Sequence, residues 1–280
     1  MDNELESLVE QAKEGDKNAL EELVKSIQDR IYGLSIRMLY YPADAEDATQ
    51  EILIKVITQL DKFRGESQFS TWAYRIASNH LLSTRKRRAE KWELTFETYE
   101  QAIDEGLSYE GERSWEEPER HLLIEEAKLA CMQGMLLCMN REMRMAFILG
   151  EIFEVTSLEG SDIMDIAPET FRQRLSRGRQ KLRDFMAKKC GVFDATNPCH
   201  CKRQLACDID KRRLVDPENL LFVKHPCHAR KNEDAWKGLA EINDMLRVAI
   251  LFRSHPDYAA PDDFSGIIKR MLTRNETMVI

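Results

Sequence analysis

Between Leu20 and Met38 the apolar residues fall at Leu20, Leu23, Val24, Ile27, Ile31, Leu34 and Met38. These three- and four-residue steps line one face of an α-helix. The same period recurs through most of the chain, and no stretch alternates at the period of two that a half-buried strand requires. An all-α fold follows.

Pro42 interrupts the first pattern, and Asp44 opens a second with Ala45, Ala48, Ile52, Val56 and Leu60 inward. Asp44, Glu46 and Asp47 stand in its first turn, where the helix dipole favours negative charge. After the loop Phe63-Arg64-Gly65-Glu66-Ser67, a third helix turns Trp72, Ala73, Ile76, Ala77 and Leu81 inward and runs into Arg85-Lys86-Arg87-Arg88. Residues 91–120 are rich in acids, lose the apolar period and are punctuated by Gly106, Gly111 and Pro118, so they read as a linker. Helical spacing resumes from about 122 to 138, then over 141–153, 157–164 and from Pro168 onward. Pro168 suits a first helical position. Beyond Lys189, residues 190–228 read as loop, 233–252 as a helix with Trp236, Leu239, Ala240, Leu246 and Ile250 inward, and a Pro-bounded stretch leads to a last short helix. The expected units are therefore 1–90, 91–120, 121–189 and 190–280.

Composition narrows the function. The chain has 280 residues, 43% hydrophobic and 32% charged, which suits folded domains rather than disorder. Its net charge of −8 argues against a general nucleic-acid coat but leaves room for local basic patches. No apolar run is long enough to span a bilayer. The acidic start does not read as a secretory signal. Seven cysteines, an odd number, argue against a full disulfide framework and for a reducing, cytoplasmic setting.

Two segments carry the chemistry of DNA binding. Residues 157–186 have the form of a helix-turn-helix, with a tight turn at Met164-Asp165-Ile166. Arginines flanking the second helix suit phosphates, and short polar side chains near its start suit base edges. The alternative is a surface helix that is basic for solubility. The second segment sets Phe69, Trp72 and Tyr74 beside Arg75, Asn79 and Arg85–Arg88, a mixture suited to unstacked bases. Trp72 shares a face with Ala73 and Ile76, so a core role for it stays open. His80 stands alone on its helix and reads as a packing or DNA-contacting residue rather than a base.

These segments, in this order, carry a family resemblance. Phe63 to Asn79 (FRGESQFSTWAYRIASN) closely resembles the second region of extracytoplasmic-function (ECF) RNA polymerase sigma factors. Asp44 to Glu51 resembles the preceding helix of that family, and Thr170 to Leu182 its fourth region. The resemblance covers roughly 15–90 and 125–190, about half the chain. It implies a region 2 bundle over 1–90 and a region 4 helix-turn-helix over 121–189, with RNA polymerase core and promoter DNA as partners. An anti-sigma factor is a further partner to consider. No membrane and no small-molecule substrate are expected. Asp44, Glu46, Asp47, Gln50 and Glu51 would dock on core polymerase. Arg64, Ser67, Phe69, Thr71, Trp72, Arg75, Asn79, Arg85, Lys86, Arg87 and Arg88 would bind and help open the −10 element. Glu169, Thr170, Arg172, Gln173, Ser176, Arg177 and Arg179 would contact the −35 element. The acidic linker would thread toward the polymerase active-site channel.

The chain departs from the family pattern at four places. Ser83 replaces an Asp, Met139-Asn140 replaces Leu-Pro, Asp165 replaces the turn glycine, and Gly160 replaces an Ile. Asp tolerates a left-handed backbone better than most residues. Asn197-Pro198-Cys199-His200-Cys201 resembles a segment that some ECF members carry after region 4.

The tail offers Cys190, Cys199, Cys201, Cys207, His225, Cys227 and His228 as metal-ligand candidates. Thiolate and imidazole are zinc's preferred ligands, but the spacing is not that of paired CxxC knuckles. Buried free thiols, a zinc or soft-metal site, and a redox switch all stay open, and no cofactor is required. A metal-dependent enzyme is disfavoured, because no HExxH, phosphate loop or nucleophile elbow is present. The expected activity is that of a sigma factor, without catalysis. The alternative is a helix-turn-helix regulator that acts apart from polymerase.

Overall fold

The computed structural model describes residues 2–111, 115–227 and 243–260, with Phe264 and Gly266. Eleven α-helices run through these residues: α1 (Asp2–Lys13), α2 (Lys17–Leu39), α3 (Pro42–Thr58), α4 (Phe69–Ser83), α5 (Phe96–Leu107), α6 (Glu117–Leu137), α7 (Arg141–Phe147), α8 (Ser157–Met164), α9 (Pro168–Lys189), α10 (Cys201–Asp210) and α11 (Asp244–Arg253). Among the described residues β-pairing is confined to two isolated bridges, Cys190 with Cys199 and Cys227 with Tyr258.

Local chemistry explains the boundaries. Asp16 caps α2 by accepting from the amides of Asn18 at 2.8 Å and Ala19 at 3.2 Å. Pro42, Pro118 and Pro168 each stand in a first turn, where a missing N–H costs nothing. Pro118, expected to break the linker, therefore starts α6. Asn140, one of the departures from the family pattern, caps α7 by accepting from the Met143 amide at 2.9 Å. Helix α2 stops at Tyr40, where φ is 74° and ψ is −56° and the Tyr41 amide donates back to the Leu39 carbonyl at 3.0 Å. Few residues adopt this γ-turn. Here the Tyr40 ring is locked edge-on against Tyr41, Trp92 and Phe222.

Three expectations need correction. The stretch 91–120, read as a linker, holds a helix: Thr95 and Thr98 form a capping box that starts α5. Phe96, Tyr99 and Ile103 on α5 face inward, Phe96 and Tyr99 lying 5.4 and 5.8 Å from the Phe185 ring. The stretch 190–228 is not all loop, since α10 lies within it and packs on α5 and α6. On α11 the buried residues are Val248, Ala249, Leu251 and Phe252, whereas Leu246 is half exposed. Trp236, Leu239, Ala240 and the residues of the last short helix other than Phe264 and Gly266 lie outside the described residues.

The expected units do not form separate bodies. One apolar core runs from Val9 through α2–α4, α6–α9 and Phe222 to Val248–Phe264, and a smaller cluster joins Leu123 and Ala127 of α6 to Leu205, Ile209 and Val215. Polar ties cross the same seams. Arg141 forks onto Glu90 at 2.7 and 2.6 Å and donates to the carbonyls of Leu82 and Thr84. Buried Arg144 donates to the carbonyls of Met38 and Met139. Glu126 of α6 accepts from the amides of Leu221, Phe222 and Val223 at 2.7 to 3.2 Å, tethering the tail.

Residues 251–260 cross both halves of the molecule. Phe252 packs on Phe147, and Arg253 donates to the Glu151 carbonyl at 2.6 Å and pairs with Glu154 at 2.8 Å. Farther on, the Pro256 carbonyl accepts from Arg37 at 3.0 Å, and the Ala260 amide donates to Asp29 at 2.9 Å. The segment thus straps α2 to the helix-turn-helix half.

Candidate nucleic-acid interface

The loop 63–68 is built on an aromatic base. Phe63, Phe69 and Trp72 pack edge-on or tilted, their rings 5.5 to 5.8 Å apart. Lys13 of α1 braces the loop by donating to the Phe63 carbonyl at 2.9 Å. Gly65 takes φ 72°, a left-handed value open to glycine. Above this base a polar cleft of about 630 Å³ is lined by Arg64, Glu66, Ser67, Trp72, Arg75 and Asp162, among others, room enough for an unstacked base. Of the residues expected at the −10 strand, Arg64, Ser67, Trp72, Arg75 and Asn79 reach the cleft or the surface. Phe69 and Thr71 are buried, so they hold the loop up rather than face a strand.

The basic run is partly spent inside the molecule. Arg87 lies 3.5 Å from Glu51 and 3.9 Å from Asp47, Arg88 lies 3.3 Å from Asp44, and Lys86 lies 3.1 Å from Glu93. Arg88 also covers the Tyr41 ring at 4.6 Å. Arg85 is exposed and has no ion-pair partner among the described residues. The acidic face of α3 and the basic run thus partly neutralise each other. Asp47 and Glu51 are exposed, Glu46 and Gln50 half-buried, and Asp44 buried. Burial, then the neighbouring Asp47, raises the Glu46 carboxyl above its usual range. His80 is a packing residue: its Nδ1 lies 2.7 Å from Lys55 Nζ, and burial and Lys55 keep the ring neutral by lowering its pKa.

Helices α8 and α9 form the helix-turn-helix. A capping box between Thr156 and Glu159 starts α8, and Asp165 ends it in the left-handed conformation, φ 51°, ψ 51°. Gly160 has a packing reason. A Cβ there would stand 2.3 Å from the Phe171 ring, so only glycine lets α8 and α9 approach this closely. On α9 Phe171, Leu175, Gly178, Leu182 and Phe185 are buried, and Glu169, Arg172, Gln173, Ser176 and Arg177 face outward. Thr170 is half-buried. Arg172 pairs with Glu169 at 2.6 Å, while Arg177 has no partner among the described residues. Arg179 is different: it forks onto buried Glu151 on the segment before α8, which makes it a strut between helices. The basic end of α9 is held by α5, with Lys188 and Lys189 on Glu100 and Lys189 on Asp104 at 2.7 Å.

The two candidate DNA-binding surfaces meet. Helix α4 packs against α8, and Arg75 Nε donates to the Asp162 carbonyl at 2.7 Å.

The metal-ligand candidates are dispersed. Cys190, Cys199 and Cys201 approach Cys131 of α6, whose thiol feels all three. Cys207 lies on another side of α10, beside Arg213. His225 stacks on Tyr32 at 5.2 Å, and Cys227 bridges to Tyr258. His228 lies outside the described residues. Burial pushes the Cys199 thiol up to about 11 and that of Cys201 to about 12. Among the described residues no three His, Cys, Asp or Glu side chains gather so as to hold an ion. No helix among them is long and apolar enough to cross a membrane.

The helical fold, the aromatic-and-basic loop and the helix-turn-helix together define a candidate DNA-binding protein. Residues 23–91 match the sigma-70 region 2 family. The chain is 35% identical over 185 residues to the RNA polymerase sigma-H factor of Pseudomonas aeruginosa, covering 63% of this chain and 91% of that one. It is 33% identical over 182 residues to the ECF RNA polymerase sigma-E factor of Escherichia coli, covering 62% and 90%. With the ECF RNA polymerase sigma factor SigW of Bacillus subtilis it shares 29% over 191 residues, covering 65% and 97%. The chain belongs to the ECF RNA polymerase sigma factors. It is an initiation factor rather than an enzyme, and a helix-turn-helix regulator acting apart from polymerase is not favoured.

Sequence reasoning missed Asp208, Glu90, Glu126 and the Arg141–Arg144 pair. None carries a motif. Each gains its role from a partner more than 50 residues away or from burial.

Proposed function

We propose that this sigma factor docks on RNA polymerase core through the α3 face of Glu46, Asp47, Gln50 and Glu51, holds an unpaired −10 base in the cleft at Arg64, Ser67, Trp72 and Arg75, and reads −35 duplex with Arg172, Gln173, Ser176 and Arg177. The observation that carries the reading is the pairing, in one chain, of a base-sized polar cleft over clustered aromatics with an outward polar face on α9. Duplex readout suits a helix in the major groove, and an aromatic-floored cleft suits a flipped or single-stranded base. Residues 190–227 and 243–260 act on this machinery as a restraint, since they tie α2, α6 and the segment before α8 together. An anti-sigma factor would compete for the same seams and is the further partner proposed.

The test is run-off transcription by core polymerase plus this protein on a genomic promoter library, alongside direct core binding. Core binding with promoter-dependent transcripts, lost on substituting Asp47 and Glu51, is the expected result. DNA binding without any affinity for core would overturn the reading.

A further inference from the structure

A cavity of about 430 Å³ opens where the end of the region 2 bundle meets the tail. Its walls are mainly apolar, with Tyr41, Trp92, Tyr99, Ile103 and Ala127 among them, and Gln204, Arg212 and Arg213 add polar groups. They come from the α2–α3 turn, the stretch before α5, α5, α6, and α10 with the residues flanking it. One charged side chain of the lining is largely buried. Asp208 of α10 is only 5% exposed, and its carboxylate has no hydrogen-bond partner among the described residues. The nearest cation, Arg213, acts on it only at a distance. Arg213 is committed to Glu105 and to the Ala102 carbonyl at 2.9 Å, and Arg212 stands exposed at the mouth. Burial accordingly raises the Asp208 carboxyl to about 7, against the pull of Arg213.

A buried carboxylate without a partner is costly, and the shape around it states what would relieve that cost. An anion would meet Asp208 with no free cation inside. A purely apolar guest would strip the carboxylate of its remaining contact with water. A metal ion lacks a ligand set, because no three ligating groups gather there among the described residues. What fits is a cation that donates hydrogen bonds and brings its own apolar surface. The rings of Tyr41, Trp92 and Tyr99 would receive that surface and would favour the cation as well. The volume lies at the small end of ligand sites, the size of one or two rings.

We propose that this cavity binds a small aromatic amine, its ammonium group on Asp208 and its ring among Tyr41, Trp92 and Tyr99. The ligand is a bound effector, not a substrate, since the cavity holds no group placed to transform it. It would sit where region 2, the α5 segment and the tail converge.

Calorimetric titration of the full-length protein with phenethylamine, 2-phenylethanol and 3-phenylpropionate tests this. The three share a ring and differ in charge. The amine is expected to bind at least tenfold more tightly than the alcohol, the acid is expected not to bind, and Trp92 fluorescence should change with the amine and not in Trp92→Phe. Asp208→Asn should weaken the amine at least tenfold and leave the alcohol unchanged. Should Asp208→Asn fail to fold, Ala102→Trp, which fills the cavity from its rim, should abolish amine binding with the helical circular dichroism retained. Equal binding of all three probes, preference for the acid, no amine binding at millimolar concentration, or amine binding untouched by Asp208→Asn or by Ala102→Trp would each overturn the proposal.

Discussion

The Arg75 side chain donates through Nε to the main-chain carbonyl of Asp162 at 2.7 Å, so the helix that follows the −10 loop is bonded to the first helix of the helix-turn-helix. The bond closes one side of the cleft beneath Arg64 and Trp72. On the reading proposed above, α4 and α8 would have to part for the −10 and −35 elements to be bound together.

Arg75→Ala is therefore expected to have two effects. Hydrogen exchange of the amides of Ser157–Met164 should speed up several-fold, because α8 loses its polar tie to α4. Promoter opening should fall if Arg75 also serves the −10 base. Exchange identical to the unsubstituted protein would show that the Arg75–Asp162 bond holds nothing closed.

On α9, Arg177 and Arg179 are two residues apart and should behave oppositely. Arg177→Ala leaves the fold alone and weakens −35 binding: a base contact relaxes one promoter position by about 1–3 kcal/mol, and a phosphate contact weakens all sequences alike. Arg179→Ala strands Glu151, whose side chain is 3% exposed, with Arg253 still 4.0 Å away. The expected loss of stability is about 2 kcal/mol, less than for a fully buried pair because Arg179 itself is partly solvated. Urea unfolding of both variants, set beside promoter binding, checks the assignment; equal stability for the two would refute it.

How much of this was legible in the sequence varies with locality. The Thr156–Glu159 cap, the left-handed Asp165 and the start at Pro168 are local signals, and the helix-turn-helix formed where they stand. Helix α5 was written just as locally, in Thr95, Thr98 and the three- to four-residue spacing of Phe96, Tyr99 and Ile103, but the acids around it masked the pattern. The role of Gly160 was not legible, because its reason is the Phe171 ring of the next helix. Nor was the pairing of Arg87 and Arg88 with α3, or the strap over α2, since these contacts join residues tens to hundreds of positions apart. Single-sequence periodicity assigns faces to helices. It does not say which faces meet.

Salt dependence should separate the basic run into two classes. Each phosphate neutralised contributes about 0.7–0.9 to the slope of log affinity on log salt. Arg85 is free to release its full share of counterions on binding. Arg87 and Arg88 must first leave Asp47, Glu51 and Asp44, and those carboxylates take up part of the counterion role. Arg85→Ala is expected to reduce the slope of holoenzyme binding by about 0.7, and Arg87→Ala by clearly less. Equal reductions would show that the internal pairs do not persist in solution.

Acid should loosen the strap, and His255 is the reason. Its ring is buried among Met132, whose sulfur lies 3.1 Å from Nε2, and Phe252. Burial first, then the positive charges of Arg37 and Lys128, lowers its pKa to about 3 from an unfolded value of 6.5. A folded value below the unfolded one means that the open chain binds the proton and the closed one does not. The contribution to stability is whole above pH 6.5 and is lost as pH falls from there toward 3, at roughly 1.4 kcal/mol per pH unit. Hydrogen exchange at 252–260 should therefore accelerate steadily between pH 6.5 and pH 4, after correction for intrinsic rates. His255→Leu keeps a ring-sized apolar filler without a titrating group and should flatten that dependence. The same pH profile in both proteins would mean that His255 does not govern the strap.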